Sequence, residues 1–549
     1  MKTFFAKDHG VLPGADVTRS LAALLRTVCE TPGEKTLVLE PGTYRFNASD
    51  CETHRLVITN SVSPKEFAPD ETPHINAVPF YLSDVKDLTV ECNGAIFEIT
   101  GKVTNFAAED CENLTIKDLE FRHTEPDMHE FLVLGSSGNS ATFVIDAGSR
   151  FEVTDGKMIF FVGDERVPAD KKADRAYWIG LIRPETPEKI ERAGHPLKGA
   201  NHIERIDEHT VRVTYNGSVP FCPGERCYVF DVRRQFAGIF LNRCKNVTLS
   251  GVCQRFNYGL ALALQCCDTA MISSCVFAPE KCSPRKMASV ADFIQACMCR
   301  GQLTFTNNLF DGAGDDCLNV HGVHLIITNV EENRLTVRFM HPQTFGYNPI
   351  RQGDELAFID PKTLLETGKT TVQASEMQND HELLLTVSDA AGAAVGRAVE
   401  DVSACPDVTF ADNEMTRIIT RGLLLTTRGK VTVENNRFIS TTMSGVLCSD
   451  DANNWYESGM CADVTVKNNI FESVGAPPVL ILPENSAYAG PVHRNIRIEN
   501  NRFLNYPEGP CVFAKSTDDL AVSGNVCAHA PVLETENCTD VKEENNKVL

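Results

Sequence analysis

The chain has 549 residues, 42% of them hydrophobic, and a formal net charge of −22. That length exceeds one small core and calls for several domains or a long repeat array. The charge argues against nucleic acid and anionic lipid as partners, and no segment reaches the roughly 18–20 apolar residues of a membrane span.

The opening "MKTFFAKDHG" lacks the apolar core of a signal peptide. The cysteines number 21, an odd count scattered through strand-like segments. Together these predict a cytoplasmic protein with buried free thiols. No CxxC pair is present, and His321 with His324 is a poor zinc set, so no metal is expected.

In chain order, "DVTRSLAALLRTVCE" (16–30) has apolar residues at helical spacing. "KTLVLEPGTYRF" (35–46) is a strand, a Pro-Gly turn and a strand. A helix there caps the first coil of a solenoid. One phrase then recurs: "LTIKDLEF" (114–121), "LTFTNNLF" (303–310), "VTVENNRF" (431–438), "VTVKNNIF" (464–471) and "IRIENNRF" (496–503). Each is a β-branched strand followed by a polar turn. Asparagine tolerates left-handed backbone, and stacked corners allow its side chains to ladder. The expected fold is an all-β, right-handed parallel β-helix with an N-terminal capping helix.

Two stretches break the repeat and read as antiparallel β-barrel-like insertions. The first contains "ATFVIDA", "FEVTDGKMIFFVG" and "HTVRVTYNG"; the second contains "HLIITNV", "RLTVRFM", "DELAFID" and "HELLLTVSD". The expected division is a cap with first coils (1–130), an inserted domain (131–235), central coils (236–322), a second inserted domain (323–406) and C-terminal coils (407–549).

A second strand follows each phrase: "GIFL" (238–241), "GLAL" (259–262), "DFIQ" (292–295), "DCLN" (316–319), "GLLL" (422–425), "GVLC" (445–448), "PVLI" (478–481) and "PCVF" (510–513). Aligned, their first column is Gly238, Gly259, Asp292, Asp316, Gly422, Gly445, Pro478 and Pro510. The next column is apolar, so the first should face outward, with glycines leaving room for a ligand. Asp292 and Asp316 then lie one rung apart, about 4.8 Å between backbones. Asp315 joins them, and Arg421 follows on the next rung. Clustered acids raise one another's pKa, so one can stay protonated beside an ionised partner. An acid and a base are what glycoside hydrolysis requires.

The stretches "ADFIQACMCRGQLTFTNNLFDGAGDDCLNVHG" (291–322), "RGLLLTTRGKVTVENNRF" (421–438) and "NNWYESGMCADVTVKNNIF" (453–471) resemble glycoside hydrolase family 110, the α-1,3-galactosidases. The likeness covers nearly the whole chain. It implies removal of terminal α-1,3-linked galactose with inversion, from fucose-branched blood-group B ends and, in some members, linear ends. It implies no metal and no organic cofactor, an oligosaccharide with terminal α-galactose as partner, and leaves a homodimer open. Carried over position by position, the catalytic aspartates are Asp292, Asp315 and Asp316, with Asp292 as acid and the pair holding the attacking water. Asn319, His321 and Arg421 are candidates to bind sugar hydroxyls or set carboxylate pKa values. Trp455 and Glu457 lie in the long turn "DDANNWYESG", where an exposed aromatic offers a platform for a galactose face; Asp450 and Asp451 there are expected to be solvated.

Three other readings keep the same fold, one of them a calcium-dependent lyase, which sensitivity to a chelator would reveal. A polygalacturonase-type hydrolase has an acid pair, but "NVHG" replaces its Gly-His-Gly and no Arg-x-Lys follows. A non-catalytic carbohydrate-binding β-helix would not need the acids.

Overall fold

The computed structural model describes residues 2–61, 74–163, 165–169, 177–231 and 234–549. The chain winds into a parallel β-helix, and each full coil has three strands, not two. One coil is Asp407–Ala411, Glu414–Ile418 and Leu423–Thr426; the next is Lys430–Glu434, Arg437–Thr441 and Val446–Cys448. They stack in parallel, with Val408 beside Val431, Met415 beside Phe438 and Leu423 beside Val446. The extra strand arises because an Asn-Asn corner bends four of the five repeated phrases in two; "LTIKDLEF" lacks the pair and lies within the single strand Glu112–His123.

The corner explains why asparagine comes in pairs. The first residue takes left-handed backbone: Asn307, Asn435, Asn468, Asn500 and Asn545 all have φ near +56 to +58. The second points inward. Asn308, Asn413, Asn436, Asn469, Asn501, Asn525 and Asn546 form a ladder, each donating its amide to the side-chain oxygen of the next. The phenylalanines two residues on also stack, Phe438 on Phe471 at 4.4 Å and Phe471 on Phe503 at 4.9 Å.

In this ladder Asn436 donates to the Phe410 carbonyl and accepts from the backbone and side-chain N–H groups of Asn413. Asn436→Ala orphans those buried groups, each at about 1–3 kcal/mol. The variant should unfold at clearly lower urea, whereas Asn435→Gly, which keeps the left-handed corner, should not. An unshifted midpoint for Asn436→Ala would show that the ladder is not structural.

The helix Thr18–Glu30 covers the N-terminal end, burying Leu21, Leu24, Leu25 and Val28 against the interior core. That core runs unbroken from Phe4 to Val532. The first insertion is a seven-stranded antiparallel sheet with a separate three-stranded sheet, and has its own core. It is not a closed barrel among the described residues. The second insertion closes a six-stranded barrel from Leu325 to Asp401. Its strand Glu366–Asn379 was not foreseen, because "ETGKTTVQASEMQN" is too polar to read as a strand.

The expectation of buried free thiols needs two corrections, a pairing and the exposure of Cys222 and Cys282. The structure pairs Cys511 with Cys527 and leaves the other cysteines free. Cys111, Cys244, Cys267 and Cys299 instead follow one another up the same interior corner, each after a left-handed residue. A small thiol side chain fills that bend as a compact apolar group. Among the described residues no helix is long and apolar enough to cross a membrane.

Candidate active site

Three successive strands of one sheet build the site: Ile294–Cys297, Leu318–Val323 and Leu423–Thr426. Ile294 pairs with Leu318, and Leu318 with Leu423. Extending that register places Asp292, Asp316 and Arg421 in one line, consistent with hydrogen bonds from Phe293 N to Asp316 O and from Cys317 N to Arg421 O.

The expected columns were therefore right for Asp292 and Asp316 and wrong on either side. Gly422 does not stand beside Asp316; Arg421 does. Asp292 stands beside Leu260, not Gly259. The strands there, "LALALQ" and "LLLT", are buried on both faces. A one-residue slip leaves such a run equally apolar.

The acids do not face an open wall. Asp292 and Asp316 are each 2% exposed. The glycines serve backbone contact, not ligand access: a Cβ on Gly314 would lie 2.3 Å from the Val290 carbonyl oxygen, and one on Gly422 2.3 Å from that of Gly445.

Each member of the acid pair has its own arginine. Arg234 donates to Asp315 Oδ2 at 2.6 Å. Arg421 donates to Asp316 Oδ1 through its backbone N–H and its Nε, both at 3.0 Å, and the Thr420 hydroxyl donates to the same oxygen. Among the described residues no guanidinium bonds Asp292, whose Oδ1 accepts the Asp316 backbone N–H at 3.2 Å. Burial first, then the Asp315 and Asp316 charges, push the Asp292 carboxyl well above the usual carboxylate range. Burial also raises Asp316, against the opposing pull of Arg421.

Beside the acids, Asn319 donates to Glu457 Oε1 at 3.0 Å, and Glu457 lies 3.8 Å from His321 Nε2. Glu457 is brought there because the strand Glu457–Ser458 pairs antiparallel with Val323 and Gly322. A relay fixes His321. Asn60 Nδ2 donates to Gln295 Oε1, Gln295 Nε2 donates to His321 Nε2, and His321 Nδ1–H donates to the Gly322 carbonyl. Among the described residues the Oδ1 of buried Asn319 has no hydrogen-bond partner.

The turn "DDANNWYESG" is not a solvated loop. Asp450 is buried and accepts from His324 Nε2 at 2.9 Å. The Asp451 carboxylate accepts the backbone N–H groups of Asn453, Asn454 and Trp455. Trp455 is half exposed and stacks on His341, ring centroids 4.6 Å apart.

Arg234, Gln295, Asn60, Thr420 and His341 escaped the sequence reading. Gln295 and Thr420 left a trace, as a polar residue in an apolar rung and the neighbour of Arg421. Asn60 and His341 arrive from distant segments with no periodic pattern.

Residues 334–398, within the closed barrel, match the model of the GLAA-B beta-barrel domain II. An alpha-1,3-galactosidase A of Bacteroides fragilis is 30% identical over 95% of this chain and 87% of its own length. The chain belongs to the α-1,3-galactosidase family. A second alpha-1,3-galactosidase A, from Bacteroides thetaiotaomicron, is 29% identical over 97% of this chain and 94% of its own. An alpha-1,3-galactosidase B of Phocaeicola vulgatus is 26% identical, over 95% and 89%. The protein is a glycoside hydrolase with the parallel β-helix expected of this family.

Proposed function

We propose that the protein is an exo-acting α-galactosidase that removes terminal α-1,3-linked galactose with inversion. Its substrates are fucose-branched blood-group B ends and linear α-galactosyl ends. The observation that carries this reading is the unequal sharing of arginines among three clustered carboxylates. Asp315 and Asp316 are each ion-paired, at 2.6 and 3.0 Å, while Asp292 is buried and faces both. Two carboxyl environments pushed apart in this way supply an acid and a base together.

Asp292 keeps its proton and gives it to the glycosidic oxygen as the bond breaks. The Asp315/Asp316 pair orients a water on the opposite face of the ring and takes its proton. The water oxygen bonds to the anomeric carbon, and positive charge developing on the ring is met by the carboxylates. Proton exchange with solvent then restores the starting state. In this reading Asn319, His321 and Glu457 bond galactose hydroxyls, which the Asn319 oxygen without a partner among the described residues supports. The near-complete burial of Asp292, Asp316, Asn319 and His321 suits a chain end held in an enclosed site.

The test is an incubation with galactose-α-1,3-galactose followed by proton NMR. Free galactose should accumulate with the wild-type protein. No release by folded protein, with cleavage of polygalacturonate instead, would favour the other hydrolase reading.

A further inference from the structure

Trp455 was expected to carry a face of the galactose itself. Its position argues for something else. Asp292, Asp316, Asn319 and His321 are at most 4% exposed and the side chains of Asp315 and Glu457 13%, whereas Trp455 is 50% exposed. Trp455 is two residues from Glu457, whose carboxylate bonds Asn319, so their Cα atoms are no more than about 7 Å apart. The half-exposed indole therefore stands at the solvent side of the turn that carries Glu457 to the enclosed end.

The ring is also held in place. Asp451 accepts the Trp455 backbone N–H, and Asn453 Nδ2 donates to the Pro361 carbonyl of the second insertion at 2.8 Å. His341, from the same insertion, lies against one indole face with 28° between the planes. Burial above all holds the His341 imidazole down at about 4, so the stacked ring is neutral under ordinary assay conditions. One aromatic face is thus backed and fixed, and the rest is open. A fixed, half-exposed apolar ring at a polar mouth is a surface on which the C–H face of a sugar loses contact with water at low entropic cost.

We infer that Trp455, backed by His341, is the platform for the saccharide that departs, and that the second insertion thereby selects an extended glycan leaving group. This rests on the α-galactosidase reading above. With galactose in the enclosed end, the bond being cut points towards the mouth, and the next sugar must pass Trp455. The barrel then has a function beyond bracing the β-helix, since it supplies the ring that keeps the platform still.

The experiment compares Trp455→Ala with wild type on galactose-α-1,3-galactose and on α-galactosyl fluoride, whose leaving group is one atom. The ratio of kcat/KM, disaccharide over fluoride, should fall by about 10-fold or more, mainly through KM. His341→Ala should lower the ratio in the same direction, and His341→Phe, which keeps a ring against the indole, should restore it. Calorimetry on the Asp292→Asn protein provides a readout without turnover: adding Trp455→Ala should weaken disaccharide binding far more than galactose binding. A ratio unchanged by Trp455→Ala, or equal weakening of both ligands, would overturn the inference. A wild-type protein that hydrolyses neither substrate would sink the α-galactosidase reading instead.

Discussion

Asp292→Asn should lower kcat on galactose-α-1,3-galactose by about 10²–10⁴-fold while the protein stays folded, the usual contribution of general acid catalysis. The amide matches the carboxyl in shape and its oxygen can still accept the Asp316 backbone N–H that Asp292 Oδ1 accepts now. What it cannot do is give a proton to the departing oxygen. On α-galactosyl fluoride, whose leaving group departs with little help from a proton, the loss should be much smaller. Asn at Asp315 or Asp316 should be costly on both substrates, because each needs an activated water. Steady-state kinetics of the three variants on the two substrates therefore separate acid from base. If Asp292→Asn kept wild-type kcat on the disaccharide, the acid lies elsewhere.

Arg421→Gln should move the acidic limb of the kcat/KM profile to higher pH. Asp316 is buried, and burial alone favours its protonated form; Arg421 is the first-ranked influence opposing that. Without the guanidinium the Asp316 carboxyl rises further, so the base is protonated over a wider range on the acid side. Activity should be lost first at low pH and recover partly as pH rises. Removing one partner of a buried ion pair also costs up to about 3–5 kcal/mol of stability. Arg421→Lys, which keeps the charge and the backbone N–H but not the Nε–H donor, should shift the limb less. A pH–rate profile superimposable on wild type after Arg421→Gln would show that the pair does not tune the base.

Much of this site was legible in the sequence because the β-helix repeats. The spacing between "DFIQ" and "DCLN" contains one uninterrupted coil, so Asp292 and Asp316 fell on neighbouring rungs without ambiguity. The ladder asparagines were legible for the same reason. The register slipped where the phase signal vanished, in strands buried on both faces such as Leu260–Gln265. That burial comes from the N-terminal segment around Leu56 and Ile58 lying over the sheet, and the repeat pattern holds no record of it. The insertions supplied what was missed. Arg234 follows the first one and reaches Asp315; His341 belongs to the second and reaches Trp455. Each contact joins segments with no common period, so folding alone brings them together.

The central claim is that Asp292 protonates the leaving oxygen while the Asp315/Asp316 pair activates water on the opposite face of the sugar. Proton NMR of the first galactose released, recorded before mutarotation, tests it most directly. The account predicts β-galactose as the first anomer, relaxing later to the equilibrium mixture. α-Galactose appearing first would contradict it, and would make one of the paired aspartates a nucleophile.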